Sequence, residues 1–110
     1  MKLLNVSRKT RLSDDCKIAF TLTDRALGLL NPGNPRSLIF YTRWGIHTLF
    51  LKQPIDVLVL SDNWEVVKMV MDLKPYSFFF YAPTHKIVIE LPRGAIEKSK
   101  THIGDKIFLA

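Results

Sequence analysis

Apolar residues along this chain come in short runs, some alternating and some continuous, separated by polar clusters and prolines. Such punctuation predicts many short strands. Residues 2–6 (KLLNV) and 16–22 (CKIAFTL) read as the first two, with Ile18, Phe20 and Leu22 on one face of the second and the polar stretch 8–15 as the turn between them. The period then changes. Over residues 23–31, Ala26, Leu29 and Leu30 recur at helical spacing, Thr23 or Asp24 can cap the start, and Asn31, Pro32 and Gly33 stop the helix. Strands follow at residues 36–42, within 45–60 on either side of Pro54, at 65–71 and at 85–92. Pro54 brings no amide to a ladder, so it marks a bend, a bulge or a strand start. Ser61 to Trp64 reads as a hairpin turn in which Asn63 takes the left-handed conformation. Residues 93–104 read as a second short helix, with Ile96 and Ile103 one heptad apart and Gly104 at its end, and residues 105–110 as a last strand. The pattern predicts one mainly β domain over residues 1–110: a small antiparallel β barrel or sandwich with two short covering helices.

Composition narrows the function classes. A 110-residue chain that is 47% hydrophobic and 24% charged has the balance of one globular domain. The single cysteine, Cys16, excludes an internal disulfide and points to a reducing compartment. No apolar run approaches the roughly 20 residues of a membrane span. The opening residues also have the wrong charge order for a leader, so a cytoplasmic location without a membrane partner is expected. The net charge of +6 is uneven: residues 1–52 carry nine basic and three acidic side chains, and residues 53–110 carry seven of each. A surplus placed this way favours a solvated surface and can attract phosphates or an anionic ligand.

The chemistry worth pursuing lies in residues 45–60, where His47, Thr48, Lys52, Gln53 and Asp56 interrupt an otherwise apolar stretch. Pleating puts Asp56 with Leu58 and Leu60, opposite Ile55, Val57 and Val59. Both faces are apolar, so the strand is expected to be covered on both sides, and a carboxylate there needs partners. Arg25, Lys52, His47 and the backbone amides of a bend are the candidates. Two readings follow. Either Asp56 ties the bend at Pro54 to a neighbouring element, or Asp56, His47 and Thr48 open into a pocket at one end of the β structure. The three histidines, His47, His85 and His102, have no metal-ligand spacing, and no nucleophile elbow, phosphate loop or dinucleotide fingerprint is present, so no metal and no cofactor are expected. The aromatic segment Tyr76, Phe78 to Tyr81 is suited either to core filling or to stacking on bases.

Several motifs, taken together, resemble the family known as domain of unknown function 192. They are Arg25 with Gly28 and Leu29, Pro54–Ile55–Asp56–Val57, Glu90–Leu91–Pro92 with Gly94, and Gly104–Asp105, and the likeness covers about residues 18–109. The resemblance implies a small, mainly β domain of sandwich or barrel type and no established activity.

The expected function is therefore a non-catalytic binding module for a small ligand or a protein partner. In its candidate ligand site Arg25 and Lys52 hold an anion, His47 and Thr48 supply hydrogen bonds, and Asp56 completes the cluster. An enzyme using His47 as a base and Asp56 as its orienting carboxylate is one alternative. A nucleic-acid binder using the basic first half and the aromatic segment is the less favoured other.

Overall fold

The computed structural model describes residues 1–18, 37–41, 45–47, 53–75, 77–80 and 87–110, with residues 40, 45–47 and 78–80 described by their backbone alone. Ten strands alternate along the described chain: β1 (Leu3–Asn5), β2 (Thr10–Ser13), β3 (Cys16–Ile18), β4 (Ser37–Tyr41), β5 (Gly45–His47), β6 (Ile55–Leu60), β7 (Val66–Leu73), β8 (Phe78–Phe80), β9 (Ile87–Pro92) and β10 (Ile107–Leu109). One short helix, α1 (Ala95–Ser99), precedes the last strand. The helix expected at residues 23–31 lies outside the described residues.

The strands form a five-stranded sheet in the order β3-β4-β9-β6-β7, a three-stranded sheet in the order β10-β1-β2, and a two-stranded pair β5-β8. Among the described residues they do not close into one barrel, and the arrangement is sandwich-like. All pairings are antiparallel except β3 with β4, where Cys16, Lys17 and Ile18 run parallel to Ser37, Leu38 and Ile39. A parallel partner needs a long crossover, and residues 19–36 between the two strands are long enough to supply it.

The centre of the five-stranded sheet explains the apolar runs. All six residues of β6 and the first five of β9 are buried, because each strand is flanked on both edges and covered on both faces. Alternation sorts their side chains. Leu58 and Leu60 join Ile87, Ile89 and Leu91 in a core that also takes Leu3 and Ile107 from the three-stranded sheet and Ile96 from α1. Val57 and Val59 lie in a second cluster, with Leu38, Ile55 and Val88, on the opposite face. Each aliphatic side chain fully buried in this way contributes about 1.5–3 kcal/mol.

Three local details differ from the expectation, each for a stated reason. The polar stretch 8–15 contains a strand, β2, whose only deeply buried side chain is Leu12, too sparse a pattern to announce itself. In the hairpin after β6 the left-handed residue is Trp64 (φ 61°) rather than Asn63. The amide of Trp64 donates to the Ser61 carbonyl and that of Ser61 to the Glu65 carbonyl, and the ring packs partly buried against the main core. The helix is shorter than residues 93–104 because Lys100 turns left-handed at its end and donates to the carbonyl of Glu97. Ser99 Oγ also turns back onto the carbonyls of Ala95 and Ile96, and Ile103 ends exposed. Pro54 stands immediately before β6, at a strand start.

No helix among the described residues is long and apolar enough to cross a membrane. Cys16 is buried, and burial pushes its thiol up to about 11, with Asp15 adding to the rise and the Met1 ammonium opposing it. Native protein is therefore expected to react with a thiol reagent at about pH 8 only as fast as the chain opens, and at least a hundredfold slower than in urea. A fast native-state reaction would contradict this placement.

Candidate functional site

Asp56 is 1% exposed in the middle of the five-stranded sheet, between β9 and β7. A carboxylate in that position must be supplied with donors, and three backbone amides supply them. Oδ1 accepts from the Asp72 amide at 3.0 Å, and Oδ2 accepts from the amides of Gly94 at 3.2 Å and Ile96 at 3.0 Å.

Each donor belongs to a place where regular pairing fails. Ile55 pairs with Leu73 and Val57 with Val70, so Asp56 faces two residues of β7 across a bulge. Asp72, one of the two, takes φ 60°, a conformation that a residue with a side chain rarely adopts. Gly94 is the N-cap of α1 at φ 91°, where the absence of a side chain removes the steric penalty but also leaves no group to cap the helix. Asp56 thus caps α1 from another strand, and it fixes the bulge with its other oxygen. Arg93 Nε lies 3.0 Å from Asp72 Oδ1 and ties the same two segments together on the outside.

The other candidates stand as follows. His47 is the last residue of β5, opposite Phe78 of β8, in a sheet separate from that of Asp56. Arg25, Thr48 and Lys52 lie outside the described residues, as does most of the aromatic segment beyond the backbone of β8. Among the described residues no group of three or more His, Cys, Asp or Glu is placed to hold a metal ion.

A second buried polar cluster lies under the β1–β2 turn. Asp105 Oδ2 accepts from Asn5 Nδ2 at 3.0 Å, from Arg8 Nε at 3.0 Å and from the His102 amide at 2.9 Å. Asn5 Nδ2 also reaches Thr101 Oγ1 at 2.9 Å, and Thr101 Oγ1 lies 2.7 Å from Ser99 Oγ. Asn5 Oδ1 accepts the Arg8 amide at 3.0 Å, which closes the turn. Burial pushes the Asp105 carboxyl up, but the bonds from Asn5 and His102 and the bond and charge of Arg8 outweigh it and hold the group below the usual carboxylate range. The cluster joins β1, the turn after it and the segment between α1 and β10. The inward position of Asn5, two residues from buried Leu3 on β1, is the sign that would have revealed it. Glu90 is a third buried carboxylate, fully enclosed in β9 between Leu38 and Val57.

Comparison with known proteins agrees with the fold. Residues 4–109 match the model of the domain of unknown function 192 family, described as Uncharacterized ACR. A UPF0127 protein of Pyrococcus furiosus is 30% identical, with 96% of this chain and 95% of that protein covered. A UPF0127 protein of Pyrococcus horikoshii is 34% identical, with 96% of each covered. The crystal structure of a protein of unknown function from Novosphingobium aromaticivorans superposes with a TM-score of 0.77 at 17% identity, over 98% of this chain and 82% of that one, a likeness of fold alone.

Proposed function

Since the chain belongs to the domain of unknown function 192 family, which brings no established reaction with it, we propose that it is a non-catalytic binding module for a small anionic ligand. In this reading Arg25 and Lys52 hold the anion, His47 and Thr48 donate hydrogen bonds, and Asp56 anchors the surrounding backbone rather than touching the ligand. The observation that carries the reading is the commitment of Asp56. A carboxylate that orients a catalytic histidine must offer it a lone pair, and three amides already occupy most of the acceptor sites of Asp56, while His47 belongs to a different sheet. This favours binding over a His47–Asp56 base pair. A cytoplasmic location suits the same reading, since Cys16 is a buried free thiol.

The test is isothermal titration of the whole chain with inorganic phosphate and with citrate. The wild-type protein is expected to bind at least one of them, with affinity falling about tenfold or more in Lys52→Ala and in His47→Ala, the loss that follows removal of a charged hydrogen-bond partner. Both variants should keep the wild-type urea midpoint. If neither anion gives heat, or if the variants unfold more easily and bind as before, the reading is wrong.

A further inference from the structure

We draw no further inference here: the strongest candidate, the buried carboxylate of Glu90 in β9 at the centre of the five-stranded sheet, set between Leu38 and Val57, carries nothing because nothing among the described residues shows what covers it.

Discussion

Replacing Asp56 with alanine is expected to destabilise the protein by about 3–5 kcal/mol, the cost typical of removing one partner from a buried charged arrangement. The physical reason is the fate of three donors. The amides of Asp72, Gly94 and Ile96 all point at this carboxylate, and alanine leaves them facing a small void among aliphatic side chains. Each buried unpaired donor costs about 1–3 kcal/mol, and relief of the carboxylate's own desolvation offsets part of the sum. Asparagine should cost less, about 2–3 kcal/mol, because its oxygen can still accept on one side while its NH2 group meets an amide on the other. The damage should also be local in a recognisable way. Hydrogen exchange at Gly94, Ile96 and Asp72 should accelerate before exchange in the middle of β9 does, since α1 loses its cap and the β7 bulge its brace. An unfolding free energy from urea titration for Asp56→Ala within about 1 kcal/mol of wild type would mean that the three amides find other partners and that Asp56 is not the anchor described.

Asp56 also shows how far the chain alone could be read. A carboxylate inside IDVLVL announces that it is buried and must be partnered, and β6 is covered on both faces as the apolar run requires. What the chain does not announce is the partner. The three donors lie 16, 38 and 40 residues away, and they are backbone amides, which every residue except proline possesses. Of the candidates the residues offer, Arg25, Lys52, His47 and the backbone amides of a bend, the described partners are of the last kind, and what the chain leaves open is which amides these are. The family resemblance rests on some of the same residues, since Asp56 and Gly94 occur in its motifs and meet in the fold.

The pattern and the fold differ in two further places, for different physical reasons. β2, a strand at a sheet margin, buries only Leu12, and its flanking polar residues imitate a turn. Ile96 and Ile103 fit a heptad and predict a longer helix, whereas side-chain bonds from Ser99 and the left-handed Lys100 end it earlier. At the helix end local polar bonds override apolar periodicity, whereas β2 has too little apolar periodicity to be read at all. The strands most legible in the chain, β6 and β9, are those whose continuous apolar runs are buried almost throughout.

The network around Asp105 should show itself through acid. Its carboxyl is held below the usual range in the folded protein, so folding binds fewer protons at this site than the unfolded chain does at the same pH. The associated stability is fully present above the unfolded carboxyl value of about 4, and it is lost as pH falls from there through the lower folded value. The urea midpoint of the wild-type protein should therefore drop on acidification below about pH 4. Asp105→Asn should be less stable by about 2 kcal/mol at neutral pH, because the bonds from Arg8 and the His102 amide lose their charged acceptor. Arg8 is partly exposed and its share is screened, which keeps the figure modest. The two proteins should then converge as the pH is lowered, since protonating Asp105 does to the wild type what the substitution does permanently. A stability gap that stays constant from about pH 7 to about pH 2.5 would show that the carboxylate charge is not what holds Asn5, Arg8 and His102 together.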